Sequence, residues 1–243
     1  MKDEKRRGLD QEILVTVDTV VFTIKDGQLL TLLVKRKDSA RNYPSLWSLP
    51  GGIVDETMDT STRHTAIKKL EAKTGIDLRF LEQLRSYSGI ERDERRWSIS
   101  DAYFILMRHV SEFKDNTEVT DSRWVSIDKL SDYKPYAFDH EQIIEDAIQR
   151  LREKTRYSLL PAYCLEEMFT LNELHQAVEI ILGHEVQKRS LYRRIEDSDA
   201  LEKTDQMRDT ETKKAALYRT NDKTRDYTFE RNISEPKIKP QPK

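Results

Sequence analysis

At 243 residues the chain is long enough for one large domain or two small ones. Hydrophobic residues make up 37% and charged residues 35%; no apolar run approaches membrane-spanning length and no apolar signal core follows Met1-Lys2-Asp3-Glu4-Lys5-Arg6-Arg7, so a cytoplasmic location and no membrane partner are expected. The formal net charge of −2 neither demands nor excludes nucleic acid, so any basic footprint must be local.

The run Ile13–Phe22 is β-branched and mostly apolar, Asp26-Gly27 marks a turn, and Leu29–Val34 follows, which predicts two paired strands. An uninterrupted apolar strand suits a sheet covered by helices on both faces. Asp18 interrupts that run, and a buried carboxylate needs a partner. A helix is expected from about Ser61 to Lys73, burying Ala66, Ile67 and Leu70, with Gly75 as a stop. Strands follow at Phe80–Tyr87, Ser98–Met107 and Arg123–Ser126. A helix then runs from Glu141 to Arg152 with Ile144, Ala147, Ile148 and Leu151 on one side.

Near Lys154–Ser158 the pattern changes and a second unit begins. Cys164 is the single cysteine, which excludes an internal disulfide or a multi-cysteine zinc site; a small apolar role in a core is its plain reading. Thr170-Leu171-Asn172-Glu173 has the form of a capping box. Leu171, Leu174, Ala177, Val178, Ile181 and Leu182 mark one apolar helical face, ended by Gly183. A short basic helix from Gln187 to Ile195 comes next, completing a helix-turn-helix. Segments 200–204 and 215–219 are expected to pair as a wing. The Lys- and Pro-rich tail from about Ile233 is expected to be disordered.

Leu49-Pro50-Gly51-Gly52-Ile53-Val54, followed by Lys68 to Ile76, resembles a Nudix box. That pattern places a glycine, a glutamate and then Arg-Glu-aliphatic-x-Glu-Glu-x-Gly-aliphatic. With Leu70, Gly75 and Ile76 fixing the register, its three helical glutamates fall on Lys69, Ala72 and Lys73. Spacing i, i+3, i+4 puts these side by side on one helical face. In an active box that face holds divalent metal against a pyrophosphate, because magnesium takes hard oxygen ligands. Here it carries two ammonium groups and a methyl, and Glu71 lies about 100° away around the helix.

The order of parts resembles the NrtR family, Nudix-related transcriptional regulators of NAD metabolism. The resemblance rests on Phe22, Leu33–Arg36, Trp47–Gly52, Glu82–Leu84 with Gly89, Arg92–Arg95, Tyr103-Phe104, Ala137-Phe138-Asp139-His140, Phe169–Leu171 and Leu191–Arg194. It implies an α+β fold: an N-terminal Nudix α/β/α sandwich with a mixed sheet over residues 1–154, a winged helix-turn-helix over 155–232, and a disordered tail, 233–243.

By that resemblance the ligand is ADP-ribose, bound by Asp18, Arg36, Trp47, Gly51, Gly52, Lys69, Lys73, Arg92, Asp93, Arg95, Phe138, Asp139 and His140. Arginine forks suit phosphate oxygens, so Arg36, Arg92 and Arg95 are the pyrophosphate candidates. Trp47 or Phe138 offers a surface for adenine, while Asp18, Asp93 or His140 accepts from hydroxyls or the adenine amine. Lys69 and Lys73 are expected to replace the missing metal as counter-charges, so that no metal is required. Each has a plainer alternative: a solvated charge cluster at residues 91–96, a core role for Trp47, a brace for the following helix at His140.

On the second helix, Lys188, Arg189, Ser190, Tyr192, Arg193 and Arg194, with Thr170 before the first helix and Lys213 and Lys214 on the wing, are expected to meet operator DNA. Arg208 and Arg219 are further candidates on the wing, and an ordinary amphipathic helix with a basic face is the alternative. Helix-turn-helix proteins generally pair on two-fold half-sites, so a homodimer is expected in a bacterial cytoplasm, on the nucleoid. The expected function is a repressor that releases DNA when ADP-ribose fills a non-catalytic site. The alternatives are an active pyrophosphohydrolase that rebuilds a carboxylate cluster from Asp55, Glu56, Asp59 and Glu71, and an ADP-ribose-responsive activator.

Overall fold

Strand β1 (Leu14–Lys25) runs through the middle of the N-terminal unit, buried from Thr16 to Thr23. In this computed structural model residues 12–74, 78–111, 119–209 and 214–230 are described. One edge of β1 pairs in parallel with β6 (Ser98–Leu106), from Leu14 opposite Ser98 to Phe22 opposite Leu106. The other edge is shared. Its first part pairs with β4 (Gly51–Ile53) and its last part with β2 (Gln28–Arg36), both antiparallel. β3 (Trp47–Ser48) and β7 (Val119–Ser126) add to β2, and β5 (Phe80–Gly89) adds to β6, giving a mixed seven-stranded sheet.

Alternation along β1 sends Val17 and Val21 to one face and Val20 and Phe22 to the other. The first face packs on Ala66 and Leu70 of α1 (Thr62–Thr74). The second packs on Ile143, Ile144, Ala147 and Leu151 of α2 (His140–Thr155). A helix therefore covers each face, as the apolar strand requires. Gly75 and Ile76, which fix the register of the box, lie outside the described residues, as does the tail 233–243.

In the C-terminal unit β8 (Phe169–Thr170) leads directly into α3 (Leu171–Leu182). The Thr170 hydroxyl accepts from the Glu173 amide at 3.2 Å while the Glu173 carboxylate accepts from the Thr170 amide at 2.7 Å. This capping box satisfies two backbone donors that the first helical turn leaves open. Gly183 ends the helix at φ 74°, a left-handed conformation that costs glycine little. α4 (Lys188–Glu196) follows, held inward by Leu191 and Ile195. β9 (Leu201–Asp209) and β10 (Lys214–Thr220) form a hairpin longer than the alternation predicts. β8 pairs with β10 as a third strand that two residues could not announce.

The two units share a core. Leu160, Tyr163 and Cys164, on a 3-10 turn after α2, and Ile181 of α3 pack into the same cluster as Phe80, Phe104 and Leu151. Polar ties reinforce this: the Arg79 guanidinium donates to the Leu165 carbonyl at 2.9 Å, and Arg225 to the Leu81 carbonyl at 3.1 Å. Burial pushes the Cys164 thiol up to about 12, in keeping with its apolar role.

All three tryptophans, Trp47, Trp97 and Trp124, belong to the N-terminal unit. We expect Ile181→Ala to cost about 2–5 kcal/mol by opening a cavity at the shared core, and to lower the urea midpoint read by tryptophan fluorescence. An unmoved midpoint would mean that the units unfold independently.

Candidate functional site

The change of partner along β1 opens a cleft. β4 leaves the sheet edge where β2 takes it over, and the Thr19 amide and hydroxyl both donate to the Pro50 carbonyl at the fork, each at 2.8 Å. The space between, about 350 Å³, is lined by Thr16, Asp18, Val34, Arg36, Lys37, Ala40, Ser48, Leu49, Gly51, Gly52, Ile53, Lys69, Arg92, Asp93, Arg95, Phe138 and His140. Gly51 is required there: a Cβ would fall 2.3 Å from the Val17 carbonyl oxygen and 2.7 Å from Asp18 Oδ1.

Asp18 is the floor of the cleft and is 6% exposed. His140 Nδ1 accepts from the Leu49 amide at 2.9 Å, which leaves its Nε2–H to face Asp18 Oδ1 at 3.2 Å. The Ser100 hydroxyl donates to Asp18 Oδ2 at 2.6 Å, and Arg92 Nη2 lies at 3.4 Å. Burial pushes the Asp18 carboxyl up, but His140, Ser100 and Arg92 outweigh it and hold it at about 2.

Arg92 is buried rather than part of a solvated cluster. Its fork grips Asp139 through Nε at 3.0 Å and Nη2 at 2.8 Å, and Nη1 donates to Ser98. Arg95 closes on Asp93 in the same way, at 2.9 Å and 2.6 Å. Phe138 is held at φ 54°, an uncommon conformation for a bulky residue that costs on the order of 1–3 kcal/mol. It turns the ring into the cleft, with the Arg36 guanidinium 5.1 Å and the Arg95 guanidinium 6.0 Å from its centroid. Tyr43 packs on the same ring at 4.6 Å.

Ten of the thirteen expected ligand residues line this one cleft. Trp47 does not: it faces away, edge-on to Tyr133 at 5.2 Å and under Arg123, because alternation in β3 gives the cleft side to Ser48. Asp139 is not on the lining either, because both its oxygens are spent on Arg92. The Lys73 side chain lies outside the described residues. Missed by sequence reasoning were Lys37, Ala40 and Tyr43, from a loop without periodicity, and Thr16, Val34, Ser48, Leu49 and Ile53, whose inward direction only the register settles.

The carboxylates of the hydrolase alternative turn elsewhere. Asp59 accepts from Lys68 and from the Thr65 hydroxyl, and the Lys68 hydrogen bond holds its carboxyl well below the usual range. Asp55 accepts from the Thr57 hydroxyl and amide, while Glu56 and Glu71 are exposed. None of the four lines the cleft. Among the described residues no group of three or more His, Cys, Asp or Glu is arranged to hold a metal ion.

On the C-terminal unit, Lys188, Arg189 and Arg193 of α4 are exposed, and Lys214 stands exposed on the wing. Ser190 and Tyr192 are half-buried, and Lys188 bonds Asn172 while lying 5.6 Å from the Tyr192 ring. Two expectations need correction, at Thr170 and at Arg194. Thr170 is 4% exposed and its hydroxyl is used by the cap. Arg194 packs on the Phe229 ring at 5.5 Å instead of projecting. Arg208 pairs with Glu173, and Arg219 with Glu202 opposite it in the hairpin, so each wing arginine has an acidic partner at the surface. Lys213 lies outside the described residues.

A carboxyl held at about 2 and released to 3.8 on unfolding adds stability above the unfolded value, and that stability is lost as pH falls through the folded one. We therefore expect Asp18→Asn to be less stable than the parent at pH 7 by on the order of 2 kcal/mol. The gap should close between about pH 4 and pH 2 in urea titrations. A gap that is constant with pH would detach it from the Asp18 charge.

Two family descriptions match the chain in succession: a NUDIX domain over residues 14–147 and an NrtR DNA-binding winged helix domain over residues 161–220. The ADPR responsive transcriptional repressor NtrR of Acinetobacter baylyi is 38% identical over 226 residues, covering 92% of this chain and 88% of that protein. Shewanella oneidensis NrtR, crystallised with a 27mer DNA, is 38% identical with a TM-score of 0.81, over 90% of this chain and 99% of that one. The NUDIX domain of the same Shewanella protein, crystallised with ADP ribose, is 36% identical with a TM-score of 0.54, over 62% of this chain and 99% of that one. With both domains matched in order and a relative of this identity along nearly its whole length, the chain belongs to the NrtR family.

Proposed function

We propose that this protein is a transcriptional repressor of NAD biosynthesis or salvage genes, which binds operator DNA as a homodimer in the bacterial cytoplasm and releases it on binding ADP-ribose. The observation that carries the reading is the way α2 joins the two sites. Its first residue, His140, faces Asp18 in the cleft, and in its last turns the Arg152 guanidinium donates to the Ile181 carbonyl of α3 at 3.2 Å. The domain boundary is drawn at the end of this helix, near residue 154, with the DNA-binding unit over 155–232.

The cleft suits ADP-ribose in its chemistry. Phe138 and Tyr43 offer aromatic surface for a base, and Asp18, Asp93 and His140 are polar groups for hydroxyls. Hydrolysis needs carboxylates to hold metal against the pyrophosphate, whereas Lys69 occupies the first of those positions and Asp55, Glu56, Asp59 and Glu71 lie off the cleft lining. The site therefore binds without cutting. The exposed Arg189 and Arg193, four residues apart, make the face of α4 that would enter a major groove. Linkage requires ADP-ribose to bind the DNA-free arrangement more tightly, by about 1–3 kcal/mol in typical cases.

Arg193→Ala should weaken binding to a fluorescently labelled genomic fragment that the parent retains, by about 1–3 kcal/mol, and leave the calorimetric Kd for ADP-ribose unchanged. Unchanged DNA affinity would remove Arg193 from the interface. ADP-ribose added to the parent complex should lower the anisotropy, with the nucleotide recovered intact by chromatography. A rise in anisotropy makes the protein an activator, and loss of the nucleotide makes it a hydrolase.

A further inference from the structure

Every carboxylate on the cleft wall already has a cation. Asp18 is held by His140, Ser100 and Arg92, and Asp93 by Arg95. The reverse does not hold. Among the described residues the Arg36 guanidinium donates to the Asn42 carbonyl, at 3.1 Å, and no carboxylate lies within ion-pair distance of Arg36, Lys37 or Lys69. Three cations therefore share one concave surface without matching anions. Burial first, and then repulsion by Arg95, lowers the Arg36 guanidinium from its usual value, with Asp93 and Asp18 opposing the shift from farther off.

Lys69 has a defined place in this set. Its chain lies along the glycine pair of β4: a Cβ at Gly52 would fall 2.9 Å from Lys69 Cε and 3.4 Å from Lys69 Nζ. The ammonium thus stands on the β4 backbone at the mouth of the fork, where an active box would present a metal-bearing glutamate. A divalent cation needs free oxygens, and the two acids available here are already occupied. The residues present do not fit a metal ion, and a second positive charge beside Lys69 would be repelled.

Resting on the ADP-ribose reading above, we propose that Lys69, with Arg36 and Lys37, is the diphosphate-binding set of this cleft and takes the place of divalent metal, so that the effector is held without magnesium. An ammonium supplies a compact charge with three donors, enough to offset one phosphate and to bridge two. Arg36 adds a planar fork between the diphosphate and the Phe138 ring.

The test is calorimetric titration of the full chain with ADP-ribose, in chelator and then in excess magnesium. The parent should give the same Kd in both. Lys69→Met should bind at least about tenfold more weakly in both, a loss of about 1.4 kcal/mol, while Lys69→Arg keeps most of the affinity. Lys69→Glu, which restores the acid of an active box, should lose binding in chelator. Thermal melting of each variant checks folding. Magnesium-dependent binding by the parent, or Lys69→Met binding like the parent, overturns the proposal. If the parent does not bind ADP-ribose at all, the effector reading fails, and inorganic pyrophosphate is the probe. Pyrophosphate binding that Lys69→Met weakens keeps the diphosphate set, and no binding ends it.

Discussion

A carboxylate in the central strand of a sheet sets the conditions for most of this structure. Burying an ionised Asp18 without partners costs several kcal/mol, more than a domain of this size can lose lightly. Partners must therefore arrive from elsewhere, and they come from three segments: Ser100 from β6, Arg92 from the turn before it, and His140 from the start of α2. Each is fixed in turn. Arg92 is gripped by Asp139, and His140 by the Leu49 amide. On the opposite strand only glycine fits beside Asp18, since a side chain at Gly51 would overlap its carboxylate. One buried charge thus ties the sheet, the glycine turn and the linker helix into a single arrangement, with the cleft as the space left over.

The same pairing decides what the cleft is able to do. Acids that already hold arginines have fewer oxygens left for a cation, and the arginines that hold them have fewer donors left for a ligand. Arg92 and Arg95, the most conspicuous basic residues of the turn, serve chiefly to position Asp18, Asp139 and Asp93. Arg36, Lys37 and Lys69 line the same cleft without an ion-pair partner among the described residues. A surface with that imbalance favours a polyanion over a second cation, which is the electrostatic basis of the binding role proposed above.

Much of this was readable from the chain. The apolar run around Asp18, the helix phases, the capping box at Thr170 and the stop at Gly183 follow from local rules, although β1 continues to Lys25 and α2 to Thr155, past the expected ends. Asp18 was informative because a charge in a buried strand has few explanations. What escaped depends on tertiary pairing. Nothing local tells which of Trp47 and Ser48 faces inward on a two-residue strand. Arg208 and Arg219 read as unpaired basic groups until their tertiary partners, Glu173 of α3 and Glu202 of β9, are known. Tyr43 and Lys37 enter from an irregular loop, where no period announces a direction. The shared core was also invisible, because the apolar face of α3 does not say that Ile181 belongs to the other unit.

That shared core bears on how an effector would reach DNA under the proposed function. Two units joined by a slack linker would transmit little, since a ligand shifts an equilibrium only through contacts that differ between its two states. Here α2 is a 16-residue helix, about 24 Å long, seated at one end on Asp18 through His140 and at the other on α3 through Arg152. The residue that enters the cleft just before it, Phe138, is held in a strained backbone conformation. A ligand packing on that ring acts on the segment that seats the helix start. Because α2 and α3 share a buried core, a shift at residues 137–140 would under the proposed function move the helix as a unit rather than be absorbed by a loop. α3 leads into α4 through the tight turn at Gly183, so under the proposed function the spacing between the α4 helices of a homodimer is the quantity an effector would control.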